Sequence, residues 1–119
     1  LLLRLKILTI GFLHAAIINL KWNCCNEKGT VHESWSPLAC GRNGFFRNPI
    51  LAEIGAKYDK TAAQVGLRFL YQQDIIIIPK STHIEHMREN LDLLDFELAE
   101  EEMNALYALD LGKSLFGWW

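Results

Sequence analysis

The residues best equipped for chemistry are gathered in residues 79–90, Pro-Lys-Ser-Thr-His-Ile-Glu-His-Met-Arg-Glu-Asn. Lys80 supplies an ammonium, and Ser81 and Thr82 supply hydroxyls. At about 100° per residue, Thr82, His83, His86, Glu89 and Asn90 fall within about 60° of His86 on one helix face. That set can donate to and accept from a single ligand. A lysine beside the free N–H groups and the positive dipole end of a starting helix attracts an anion, phosphate above all. The same pattern also fits a solvated helix face after an ordinary strand-to-helix turn. His83 and His86, at i and i+3, form a possible metal pair, but two ligands make a weak site.

The elements that must position these residues can be read around them. Ile75–Ile78 is four isoleucines in a row, the pattern of a central parallel strand buried on both faces. Pro79 ends it, because proline cannot donate to a ladder. Thr82 and Glu85 have the T-x-x-E spacing of a capping box and predict a helix start there. Ile84, Met87 and Leu91 share the opposite helix face and are expected to pack on the strand.

Upstream, Asn26 to Gly29 reads as the close of a helix with Gly29 as its C′ residue. Thr30 to Trp35 reads as a strand parallel to the isoleucine run. Val31, Glu33 and Trp35 face one side, and His32 and Ser34 the other. Ser36 to Asn48 is a loop by its proline, glycine and asparagine content. Asn48 and Pro49 are N-cap and N1 of a helix to about Tyr58, with Leu51, Ile54 and Tyr58 as its apolar stripe. Thr61 and Gln64 form a second capping box, opening a helix from Ala62 to Gln73 with Val65, Phe69 and Leu70 on one side. A last helix spans about Glu100 to Leu109. Its three leading glutamates read as a solvated start that complements the dipole.

Composition bounds the function. The chain has 119 residues, half of them hydrophobic and 22% charged, with a net charge of −2. This describes one small globular domain, and the balance of charge offers no basic patch for nucleic acid. Cys24, Cys25 and Cys40 have no C-x-x-C spacing, which favours reduced thiols and a cytoplasmic setting. Leu1 to Leu20 is an apolar run after Arg4 and Lys6. It is too short for a membrane span and lacks a signal-peptide cleavage site. Residues 1–22 are therefore set apart from 23–119. They read as a frame-shifted stretch, a divergent strand–helix unit or, least favoured, a membrane-surface segment.

The segment Ile75 to Asn90 resembles the adenosine-phosphate-binding segment of the aldo-keto reductases, where a strand ends in I-P-K-S and a helix carries R-x-x-E-N. Trp35-Ser36-Pro37-Leu38, Lys60-Thr61-Ala62-Ala63-Gln64-Val65, Leu67-Arg68-Phe69-Leu70, Asn90-Leu91, Asp95-Phe96 and Leu109-Asp110 extend the match over Cys25 to Trp119. The resemblance implies an α/β fold, the C-terminal portion of a (β/α)8 TIM barrel. The barrel is incomplete, because a closed one needs about 250 residues. It implies a nicotinamide cofactor, NADP, and hydride transfer to a small aldehyde or ketone. It assigns Trp35, Ser36, Leu38, Lys80, Ser81, Thr82, His86, Glu89 and Asn90 to cofactor binding, with Trp35 stacking on the nicotinamide ring. The family often has arginine where His86 stands, so NAD is also possible. The family usually has Ser or Thr at the N-cap where Ala99 stands, a departure worth about 1 kcal/mol. No residue matches the family's catalytic tyrosine, lysine, aspartate or histidine. The alternative is a nucleotide-binding or membrane-surface module without chemistry.

Overall fold

The computed structural model describes Gly29, Val31 and residues 33–109. The expectations for residues 1–22, for the helix before Gly29, for Cys24 and Cys25, and for the tail from Asp110 lie outside the described residues. In chain order the elements are β1 (Glu33–Trp35), a 3-10 segment (Ala39–Arg47), α1 (Pro49–Tyr58), α2 (Ala62–Tyr71), β2 (Ile76–Ile78), α3 (Ile84–Leu91) and α4 (Glu100–Tyr107).

β1 and β2 pair in parallel, with Glu33 opposite Ile76, Ser34 opposite Ile77 and Trp35 opposite Ile78. Parallel neighbours require a crossover, and α1 and α2 supply it. The start of α1 is fixed by the Asn48 side chain, which accepts from the N–H groups of Ile50 at 3.0 Å and Leu51 at 3.3 Å, with Pro49 at N1. Asp59 in the left-handed region ends it. The chain turns back so tightly that the Lys60 N–H bonds to the Gly55 carbonyl at 2.9 Å. A Cβ on Gly55 would collide with the Lys60 carbonyl. α2 opens with the expected capping box: Thr61 Oγ1 accepts from the Gln64 N–H, and Gln64 Oε1 accepts from the Thr61 N–H. It stops at Tyr71, two residues short of expectation, in a turn carrying Asp74 at φ 57°.

The core lies along α2. Val65, Leu67, Phe69 and Leu70 are fully buried against Leu51 and Ile54 of α1, Leu106 of α4, and Leu93, Phe96 and Leu98 of the segment between α3 and α4. Edge-to-face and tilted ring contacts, Phe69 with Tyr107 and Tyr58 with Phe96, close its ends. Four large apolar side chains buried within six positions of α2 explain why this helix anchors the rest.

Four expectations are corrected. First, β2 is not buried on both faces. Ile75 is buried and Ile77 half-buried toward the helices, whereas Ile76 and Ile78 are 46% and 53% exposed on the face shared with Glu33. Among the described residues, nothing covers that face. Second, Ile84, Met87 and Leu91 do not pack on the strand. All three are exposed, and α3 buries no side chain at all. Third, the loop after β1 is largely 3-10, with Ala39 N–H bonded to the Ser36 carbonyl and Gly41 N–H to the Leu38 carbonyl, both at 2.9 Å. Fourth, the glutamate run is not uniformly solvated. Glu100 and Glu101 are exposed, but Glu102 is buried.

Glu102 has strong partners. It accepts from the Tyr58 hydroxyl at 2.6 Å, from Lys57 Nζ at 3.1 Å and from the Ala99 N–H at 3.0 Å. The last of these is the return half of a capping box whose other half is missing, because alanine has no side-chain acceptor. Burial pushes the Glu102 carboxyl up, but the Tyr58, Ala99 and Lys57 donors outweigh it and hold the group below its ordinary value. The same bond to Glu102 raises the Tyr58 phenol.

α3 is tied down by its C-terminal end rather than by an apolar face. Gln64 Nε2 donates to the Glu89 carbonyl at 3.0 Å, and Arg68 Nη1 to the Leu93 carbonyl at 3.3 Å. Lys60 Nζ donates to the Asp92 carbonyl at 3.1 Å and pairs with Asp95 at 2.7 Å, a bond that lowers the Asp95 carboxyl below its usual range. Gln64 and Arg68, four residues apart on α2, and Lys60, just before its N-cap, supply these donors. Cations near a helix C-terminus also complement its dipole. No helix among the described residues is long and apolar enough to cross a membrane.

Candidate functional site

The C-terminal ends of both strands open into the same region. β1 runs into the Ser36–Arg47 segment, and β2 runs through Pro79 into Lys80 and Ser81. The first of these segments is held in an unusual backbone. Ser36, Ala39 and Cys40 have φ near +54°, with Gly41 and Gly44 also left-handed. Non-glycine residues rarely hold that conformation, and each does so at a cost of about 1–2 kcal/mol. The Ser36 hydroxyl and Cys40 thiol are hydrogen-bonded at 3.0 Å across this bend.

The Lys80-Ser81-Thr82 turn differs from the expected cap. Thr82 does not cap the helix. His83 is the N-cap residue and α3 begins at Ile84, one position later than the T-x-x-E pattern placed it. Ser81 makes the local bonds instead, with its Oγ accepting from the His83 N–H at 3.1 Å and donating to the His83 carbonyl at 3.2 Å. A serine hydroxyl bonded to backbone two residues on is a common competitor of the true cap. The rings of His83 and His86 lie 5.4 Å apart. Among the described residues, no group of three or more potential metal ligands exists.

Two cavities meet here. One, of about 380 Å³, is lined by Lys80, Ser81, His86, Glu89 and Asn90 on the β2–α3 side, by Leu38 and Phe46 from the 3-10 side, and by Thr61, Ala62 and Ala63. The second, of about 490 Å³, is lined by Ser36, Pro37, Leu38, Cys40, Gly41, Phe46, Ile78, Pro79 and Lys80. Leu38, Phe46 and Lys80 border both, so the two form a continuous cleft with these three residues at their junction. Such a cleft suits an elongated ligand with an anionic middle.

Of the residues singled out from sequence, Ser36, Leu38, Lys80, Ser81, His86, Glu89 and Asn90 line this cleft. Thr82 is exposed and lines neither cavity. Trp35 ends β1 immediately before Ser36, at the cleft's rim in the chain trace. Sequence reasoning missed Phe46, Thr61, Ala62 and Ala63. The Thr61 capping box had marked the start of α2, yet only the tertiary arrangement aims that start at the cavity. The three tyrosines of the chain, Tyr58, Tyr71 and Tyr107, all sit on α1, α2 and α4. None lines the cleft, and both Tyr58 and Tyr107 have raised phenols, the first through its bond to Glu102 and the second through burial.

Comparison with known proteins agrees on one family. The model of the Aldo/keto reductase family matches residues 23–111. The chain is 42% identical over 94 residues to methylglyoxal reductase DkgA of Yersinia pestis, covering 79% of this chain and 33% of that protein. It is 42% identical over 86 residues to the uncharacterized oxidoreductase YtbE of Bacillus subtilis, covering 72% of this chain and 30% of that one. Among solved structures, the aldo-keto reductase MGS-M4 from a Medee basin deep-sea metagenome library superposes with a TM-score of 0.86 at 27% identity, over 94% of this chain and 41% of its own. The silkworm (Bombyx mori) aldo-keto reductase complexed with NADPH gives 0.79 at 27% identity, over 92% and 36%. The chain thus spans about a third of the length of the curated relatives it matches. A family match over most of the chain, and relatives above 40% identity, place it without ambiguity: this chain belongs to the aldo/keto reductase family.

Proposed function

We propose that the chain carries the cofactor-binding part of an NAD(P)H-dependent carbonyl reductase, the C-terminal portion of a (β/α)8 barrel. The observation that carries this reading is the cleft, in which Ser36 and Leu38 from one strand end meet Lys80, Ser81, His86, Glu89 and Asn90 from the other. In this reading the adenosine and its phosphate occupy the His86–Glu89–Asn90 cavity. Lys80 neutralises the anionic middle of the cofactor. The nicotinamide end runs along Ser36 toward Trp35. Exposed Ile76 and Ile78 would then face the interior of the barrel.

The chemistry supplied by such a cofactor is hydride transfer to the carbonyl carbon of an aldehyde or ketone, with a general acid protonating the oxygen. No described residue is placed to be that acid, and no catalytic residue is assigned. His86 in place of arginine removes a bidentate grip on a 2′-phosphate. The preference for NADP over NAD is accordingly small.

Titration of the chain with NADPH and NADH tests the reading. Binding of both should be measurable, and Lys80→Ala should weaken both by on the order of tenfold, the loss of one charge contact to the cofactor. His86→Arg should favour NADPH selectively. Absence of binding, or binding indifferent to Lys80→Ala, rejects the proposed site.

A further inference from the structure

Among the described residues, Gln64 is a cleft-adjacent side chain whose two ends serve two different walls. It is 5% exposed, so both ends of its amide need partners. Its Oε1 accepts from the Thr61 N–H at 3.0 Å, holding the start of α2. Its Nε2 donates to the Glu89 carbonyl at 3.0 Å, holding the last turn of α3. The amide orientation is fixed by this pair, since exchanging O and N would set donor against donor and acceptor against acceptor. Glu89 belongs to the last helical turn, where carbonyls lack an intrahelical donor. Because α3 buries no side chain, packing does not set its seat. Thr61 and Ala62 line one wall of the smaller cavity, and Glu89 and Asn90 line the facing one.

We infer that Gln64 is a positioning residue that sets the spacing of these two walls and, through it, the affinity of the cavity for the adenosine-phosphate end of the cofactor. This rests on the reading of the cleft given above.

The decisive substitution is Gln64→Glu, probed with adenosine 2′,5′-bisphosphate by calorimetry at pH 8. Glutamate at this helix position forms the same capping box, so the bond from the Thr61 N–H survives. The donor to Glu89 becomes an acceptor facing an acceptor. Gln72→Glu is the matched control. Gln72 also bridges in both directions, accepting from the Leu98 N–H at 2.7 Å and donating to the Leu98 carbonyl at 3.1 Å, but it lines neither cavity. Gln64→Glu should weaken nucleotide binding by about fivefold or more, the loss of one buried hydrogen bond. Gln72→Glu should lower the thermal midpoint while leaving affinity within about twofold. If Gln64→Glu does not fold, Gln64→Met removes the bridge without the repulsion and should show the same selective loss. Unchanged affinity in the Gln64 variant, or an equal loss in the Gln72 control, overturns the inference. Failure of the unsubstituted chain to bind is a separate result, visible before any substitution, and it rejects the cleft reading together with this inference.

Discussion

The α1–α2–α4 side of the molecule and the β2–α3 side are built on opposite principles. On the first, Phe69, Leu67, Leu70, Leu51 and Leu106 are buried to 2% exposure or less, and the helices hold each other by apolar contact. On the second, Ile76, Ile78, Ile84, Met87 and Leu91 are all exposed, and α3 is held by side-chain donors reaching the carbonyls of Glu89, Asp92 and Leu93. The difference teaches that apolar composition does not by itself make a core. The first side has its partners within the described residues, while the second presents apolar faces and is placed by polar ties. That side carries most of the candidate cofactor contacts. A site held by a few directed bonds keeps its geometry but contributes little to stability.

Substitutions should separate the two sides. The largest effect is expected from Phe69→Ala, which empties the centre of the core and should destabilise by about 3–5 kcal/mol in urea unfolding. Equal tolerance of Phe69→Ala and Leu91→Ala would erase the distinction.

Next in size is Glu102→Gln, which weakens the bonds from Tyr58, Lys57 and Ala99 and should cost about 1–3 kcal/mol. The Glu102 carboxyl lies below its ordinary value in the folded protein. Its contribution is therefore fully present above the unfolded-state value of about 4.5 and is lost as pH falls through the folded one. Urea midpoints measured from pH 7 to pH 3 should fall less steeply in the variant than in the unsubstituted chain.

A smaller effect sharpens the contrast between two helix starts. α2 has both halves of its capping box, and α4 has one. Ala99→Ser should gain about 1 kcal/mol, and Thr61→Ala should lose about as much. The smallest effect belongs to Leu91→Ala, within about 0.5 kcal/mol, because that side chain is 76% exposed.

Local signals in the sequence carried far. Asn48-Pro49 and Thr61-x-x-Gln64 mark their helix starts because capping is a contact between near neighbours. The parallel pairing of the two strands followed from the strand–helix–strand order. The isoleucine run was misleading for a physical reason. Four identical apolar residues have no period, so they cannot say which face finds a partner. At the next turn the T-x-x-E spacing pointed to Thr82 as the cap, whereas His83 is the N-cap and the adjacent Ser81 hydroxyl makes the local bonds. Most of the candidate site was legible because Lys80, Ser81, His86, Glu89 and Asn90 are close in sequence, and the family resemblance supplied Ser36 and Leu38. The other wall was not, because Phe46 and Thr61 reach the cleft only through tertiary packing. Glu102 was hidden for the same reason, since its partners on α1 lie far back along the chain.

The parallel pairing of β1 with β2 also orders events in time. Glu33 can meet Ile76 only when the whole of α1 and α2 has been drawn between them, so closing that loop comes at a large entropic cost before the ladder returns anything. A ladder of three residue pairs is too short to nucleate by itself. The two helices, each started by its own cap and joined by a three-residue turn, can form and dock locally. Strand pairing should then be the last step of folding and the first to reverse. The amide protons of β2 should therefore exchange with solvent through partial openings that leave the helical pair intact.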